Sequence, residues 1–167
     1  GWELVSEYDL VGDGHAGKPN RAGQGDRNYC KSAEARAWLK EMITALREYD
    51  PYERPVTNHY ATDFSIVDRE MAQSPLLDYI VGDAYYDQGQ YPAFPHMAQA
   101  WARAYGHARK PWWVTEFGGN WNAASSARLE ADLHAGLWSS WMTSAAATPL
   151  FWWYDLVDRK DYYGHYR

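Results

Sequence analysis

The sequence predicts an α/β protein made of parallel βα units. Apolar runs of strand length alternate with stretches of helical periodicity, five of the first and four of the second, which is the order expected of such units. Residues able to do chemistry also gather where the strands should end: Glu7, His59, Asp83 with Tyr85, Glu116, and Trp152 with Asp155. In parallel βα units those carboxyl ends are where functional groups collect. A flavodoxin-like open sheet would also take five strands. It would be expected to show a phosphate-cradling glycine loop, and the glycine-rich segment here carries neither GxGxxG nor a P-loop pattern.

Each element has its own justification. Trp2 to Glu7 is strand-like and ends in a carboxylate. Leu10 to Asn28 is a polar loop rich in glycine, and so long a loop is more often a binding loop than a connector. Ser32 to Tyr49 reads as a helix, with Ser32 as N-cap and Ala35, Trp38, Leu39, Met42, Ile43, Leu46 and Tyr49 as an apolar stripe. Asp50-Pro51 ends it. Arg54 to Ala61 is the next strand, Asp63 to Gln73 a short helix, and Leu76 to Tyr86 a third strand. His96 to Ala108 is a helix with Met97, Trp101, Ala104, Tyr105 and Ala108 on one side. Pro111 to Trp121 contains the most strand-like run, with Glu116 at its end and Gly118-Gly119 expected to stop it. Ser126 to Ser144 is a helix, and Thr148 to Tyr154 the last strand.

Composition narrows the function. The 167 residues suffice for one core, and 46% hydrophobic with 23% charged is globular. Ten Trp and fourteen Tyr exceed what such a core needs, and surplus Trp suits stacking on sugars or bases. A net charge of −6 and the lack of any basic run argue against nucleic acid. No apolar run approaches the roughly 20 residues of a membrane span. One cysteine, Cys30, permits no internal disulfide and no thiolate metal site. His15, His96, His107, His134 and His165 show no ligand spacing, so neither a catalytic metal nor another cofactor is expected.

Several stretches resemble one family. Trp2-Glu3-Leu4-Val5-Ser6-Glu7 looks like the W-E-L-x-N-E motif that closes the fourth strand of clan A glycoside hydrolases, the cellulase, β-mannanase and agarase-like enzymes. Lys110-Pro111-Trp112-Trp113-Val114-Thr115-Glu116-Phe117-Gly118 resembles their seventh-strand K-P-x-x-x-T-E-F-G. Leu77 to Tyr85 is similar to the sixth strand, which usually ends in H-x-Y, and Phe151 to Asp155 to the eighth, with its stacking Trp. The resemblance implies a (β/α)8 TIM barrel of which this chain, 1–167, holds about five βα units of the C-terminal part. A whole barrel takes about 250 residues. Because the chain opens inside strand-like sequence, it is expected to be the later part of a longer protein. The missing barrel half is then expected from an unseen segment or a partner chain, since apolar edges would otherwise be open.

The resemblance also implies roles. Glu7 would be the acid/base, its pKa raised by apolar surroundings and by the charge of Glu116, and Glu116 the nucleophile of a retaining β-glycosidase. Tyr85 would donate to the nucleophile. Trp152 or Trp153 would form the sugar platform, since strand alternation lets only one face inward, and the family pattern favours Trp152. Trp121 and Tyr86 could line outer subsites or pack locally, and His59 could contact substrate, although a hydrogen-bonded structural histidine is the favoured reading there. Two positions depart from the pattern: Ser6 stands where the family has a sugar-binding Asn, and Asp83 where it has His. Asp83 would bind a basic or hydroxyl-rich group or mark drift from catalysis. The partner expected is therefore a polysaccharide or oligosaccharide, in an extracellular or periplasmic setting. The alternatives are an inactive glycan-binding relative and a structural half-barrel that pairs with another chain.

Overall fold

A computed structural model describes residues 1–8, 29–61, 68–86, 93–119 and 125–166. The Leu10–Asn28 loop, Trp121 and the first half of the helix expected at Asp63–Gln73 lie outside the described residues, as does the side chain of Tyr86. In chain order the elements are β1 (Trp2–Glu3), α1 (Ala33–Tyr49), β2 (Val56–Thr57), β3 (His59–Tyr60), α2 (Arg69–Gln73), β4 (Ile80–Tyr86), α3 (Ala93–Tyr105), β5 (Trp112–Gly119), α4 (Ser126–Trp141) and α5 (Tyr154–Arg159). β1 pairs with β2, β3 with β4 and β4 with β5, all in parallel. A single parallel bridge adds Phe151 to the outer side of β5.

The barrel expected from the sequence is not formed. Among the described residues there are two small parallel sheets, of two and three strands, and five α-helices, rather than five βα units on a closed cylinder. The reason lies in strand length and continuity. β1, β2 and β3 are two residues each, and the strand expected from Arg54 to Ala61 breaks at Asn58, so that its halves join different sheets. The expected last strand contributes only Phe151 before the chain bends and enters α5. Closure needs every strand to pass its register to the next around a ring. Here the pairings stop at β1 on one side and at Phe151 on the other.

Local chemistry fixes the elements that are present. Ser32 caps α1 by accepting from the Ala35 amide at 3.1 Å, and Ala35, Leu39 and Ile43 form its buried face. Asp50 ends the helix and binds the N-terminal strand to it, accepting from Trp2 Nε1 at 2.8 Å and from Arg54 Nη1 at 2.7 Å. α2 starts at Asp68, whose buried carboxylate accepts from the Glu70 and Met71 amides and from Arg36 at 2.8 and 2.9 Å.

β4 alternates as a strand should: Ile80, Gly82 and Ala84 face the helices, while Val81, Asp83 and Tyr85 face the other way. α3 lies directly on Gly82. The Trp101 indole covers it, donates to the Asp83 carbonyl at 2.9 Å and stacks on Tyr105 at 4.6 Å. A Cβ at residue 82 would stand 2.1 Å from Trp101 Cη2. α4 approaches β5 in the same manner, with Gly136 against the Phe117 ring.

Candidate active site

The site begins with an irregularity in β5. Ile80, Val81 and Gly82 pair with Trp112, Trp113 and Val114, but Asp83 pairs with Glu116, so Thr115 is an extra residue. A bulge of this kind reverses the alternation of side chains beyond it. Trp112 and Val114 are buried in the core before it, and Phe117, not Glu116, is buried there after it. The two consecutive residues Thr115 and Glu116 therefore both turn toward β3 and β4. Thr115 Oγ1 donates to the Gly82 carbonyl and lies 3.2 Å from His59 Nε2. Glu116 Oε2 accepts from the Tyr85 hydroxyl at 2.7 Å. Gly118 and Gly119 continue the strand instead of stopping it, and at φ +156° Gly118 leaves room for Trp153 Nε1, which would meet a Cβ there at 2.7 Å.

Beneath this surface lies an ion pair. His59 on β3 and Asp83 on β4 are 2% and 0% exposed, and Nε2 approaches Asp83 Oδ1 to 2.6 Å. Burial alone would lower the imidazole pKa, but the hydrogen bond and charge of Asp83, with the charges of Glu3 and Glu116, raise it to about 9. Burial pushes the Asp83 carboxyl up to about 7 against the pull of His59, and Glu116 and Glu7 add to the rise. The imidazole holds the proton near neutrality, because an acid stands at each of its nitrogens: Glu3 Oε1 is 3.3 Å from Nδ1. Burial raises the Tyr85 hydroxyl, and Glu116 raises it further, so Tyr85 stays a donor.

The expected residues fall into three groups. Glu116, Tyr85, Asp83 and His59 are brought together as described. Glu7 and Ser6 follow β1, Ser6 Oγ lies 3.2 Å from His59 Nδ1, and the charge of Glu7 acts on both Asp83 and Tyr85. Glu7 is partly buried at φ +48°, a conformation costing roughly 1–2 kcal/mol for a residue with a Cβ. Glu53, Arg109 and Asp161 share it, so strain alone does not mark Glu7. Trp121 is outside the described residues. His59 and Asp83 are buried beneath these groups and do not reach solvent.

The aromatic platform is reversed. Trp152 is 38% exposed and packs edge-on against Tyr154, whereas the Trp153 ring sits 6.4 Å from that of Tyr85 and covers Gly118. The family pattern favoured Trp152, but pairing ends at Phe151 and the chain bends at Trp152, which leaves Trp153 as the tryptophan beside Tyr85. Much of the surplus tryptophan lies elsewhere. A cavity of about 420 Å³ is lined by Leu137, Trp138, Trp141, Thr148, His165 and Tyr166, none of which belongs to the acid cluster.

One arrangement that histidine spacing missed is a set of possible metal donors. Donor atoms of His59, Asp83 and Glu116 all lie within 4.8 Å of one another. Three strands supply them, so no linear spacing could show it. The 2.6 Å contact between His59 and Asp83 is nevertheless shorter than the roughly 2.9 Å between neighbouring ligands of an octahedral ion with bonds of about 2.0–2.1 Å. As arranged, His59 and Asp83 are hydrogen-bonded to each other and Glu116 accepts from Tyr85. Set against known proteins, the chain matches no family model, no curated protein and no solved structure.

Proposed function

We propose that the chain is a retaining β-glycoside hydrolase acting on a polysaccharide or oligosaccharide, with Glu116 as nucleophile and Glu7 as acid/base. The observation that carries the reading is the Tyr85 hydroxyl held on Glu116 Oε2 at 2.7 Å, just past the bulge of β5. A hydrogen bond to a carboxylate favours its charged form, which is the form that attacks. Glu116 would attack the anomeric carbon while Glu7 protonates the departing glycosidic oxygen. Glu7 would then take a proton from water as that water displaces Glu116 from the sugar. This double displacement works with carboxyls about 5–5.5 Å apart. The likeness of the Glu7 and Glu116 segments to the clan A motifs supports the same pair. Trp153, beside Tyr85, is the better placed platform for a sugar ring.

The inactive glycan-binding reading rested on Ser6 and Asp83. Asp83 is buried against His59, so it adds no charge to the space a sugar would occupy, and Ser6 faces that same imidazole. The test is chemical. The parent chain should hydrolyse an aryl β-glycoside, and Glu116→Gly with added azide should give a glycosyl azide of inverted configuration. An active parent whose variant gives no adduct would remove Glu116 as nucleophile. A parent inactive on every aryl β-glycoside tried would count against the reaction itself.

A further inference from the structure

His59 is buried, yet it has a carboxylate at each ring nitrogen: Asp83 Oδ1 at 2.6 Å from Nε2 and Glu3 Oε1 at 3.3 Å from Nδ1. A neutral imidazole has one N–H and can donate to only one of them. At the other nitrogen a lone pair would face a carboxylate, which is unfavourable at low exposure. Only the doubly protonated ring satisfies both. The Thr115 hydroxyl agrees with this, and the Ser6 hydroxyl, able to donate or accept, fits either state of the ring. Thr115 spends its proton on the Gly82 carbonyl, so its lone pairs face Nε2, and Ser6 Oγ lies beside Nδ1 at 3.2 Å.

The ring thereby ties together the segment after β1, β3, β4 and the bulge of β5. The titratable groups facing it are Glu3 from β1, Asp83 from β4 and Glu116 from β5, with Glu7 and Tyr85 acting on the same cluster. Among the described residues no Lys or Arg pairs with Glu3, Asp83 or Glu116, so this imidazole is the cation the acids share.

We infer that His59 is a positioning residue: a buried imidazolium that fixes the Ser6–Glu7 turn to β4 and to the Thr115–Glu116 step of β5, holding Glu116 in place for attack. The role in attack rests on Glu116 being the nucleophile; the buried cation does not. Its raised pKa, about 9, agrees with the contacts. The charge is complete below the ordinary histidine range and is lost as pH rises through that value.

Two measurements separate the inference from the reaction on which it rests. In the full chain labelled with ¹⁵N-histidine, the His59 ring, assigned by its absence from His59→Gln, should be protonated at both nitrogens at pH 7 and titrate near pH 9. A neutral ring at pH 7 in an active parent would overturn this inference alone. In kinetics, His59→Gln should change the shape of the kcat/KM pH profile and lower kcat more than it changes KM. An unmoved profile in a folded variant would overturn the positioning role. Should His59→Gln fail to fold, Glu3→Gln, at an exposed position, should lower the titration midpoint of His59, and no shift there would count against the shared cation. A parent with the imidazolium but no glycosidase activity would remove the catalytic role and leave the cation standing.

Discussion

Gly82→Ala tests whether the seat of Trp101 on β4 is as tight as it stands. The new methyl carbon would lie 2.1 Å from Trp101 Cη2, 2.4 Å from Cζ2 and 2.7 Å from the Tyr60 carbonyl oxygen. Relief requires the indole to move by more than an ångström, and overpacking of this kind costs about 1–3 kcal/mol. The displaced indole also loses its 2.9 Å bond to the Asp83 carbonyl, worth about 1 kcal/mol. Reduced freedom of the unfolded chain returns about 0.4–1 kcal/mol. The expected net loss is about 1–3.6 kcal/mol. With a urea slope of about 2 kcal/mol/M, the unfolding midpoint should fall by about 0.5–1.8 M. Trp101→Phe removes the two ring atoms that would be struck. The double variant should therefore be more stable than the sum of the single losses allows, by at least about 1 kcal/mol. Because the Tyr60 oxygen stays in place, the rescue should be incomplete. A Gly82→Ala midpoint within about 0.25 M of the parent, or costs that simply add, would refute the packing described here.

Other variants probe the remaining supports. Tyr85→Phe removes one charge-assisted hydrogen bond to Glu116, worth about 1.5–3 kcal/mol, so kcat/KM on an aryl β-glycoside should fall about 10–150-fold with little change in KM. Asp68→Ala removes the α2 cap and the buried one of the two carboxylates on Arg36, leaving it Glu70; urea unfolding should register a loss of about 1–3 kcal/mol. Burial pushes the Asp50 carboxyl up, but hydrogen bonds from Trp2, Arg54 and Tyr52 outweigh it and hold the group below the ordinary carboxylate range. Its contribution to stability is therefore present above that range and lost as pH falls through the lowered value. Melting temperatures from pH 5 to pH 2 should show that loss, and Trp2→Phe should reduce it.

The elements legible in the sequence are those set by local chemistry. Ser32 marks the start of α1, and the spacing of Ala35, Leu39 and Ile43 marks its buried face, although Trp38 and Tyr49 of the same expected stripe are exposed. The aromatic and β-branched run from Trp112 to Phe117 falls within β5. What stayed hidden depends on partners distant in the chain. Nothing at Asn58 announces that the residues before it pair with β1 and those after it with β4. The bulge at Thr115 arises from register against β4, and the exchange of Trp152 for Trp153 from the end of pairing at Phe151. The closed barrel failed for the same reason, since a motif can mark a strand end without fixing how long the strand is. At the site, Glu116 and Tyr85 could be named from motifs, but the ion pair that explains Asp83 needed the neighbouring strand.

The additional residue in β5 has a practical side. Anyone transplanting the Thr115-Glu116 step onto another scaffold must carry the insertion with it. Copied onto a regular ribbon, the acid would swing round to the helical layer and be lost to solvent chemistry. Shortening acts differently: excising Thr115 would restore regular alternation and keep Glu116 opposite Asp83, but remove the hydroxyl beside His59 Nε2.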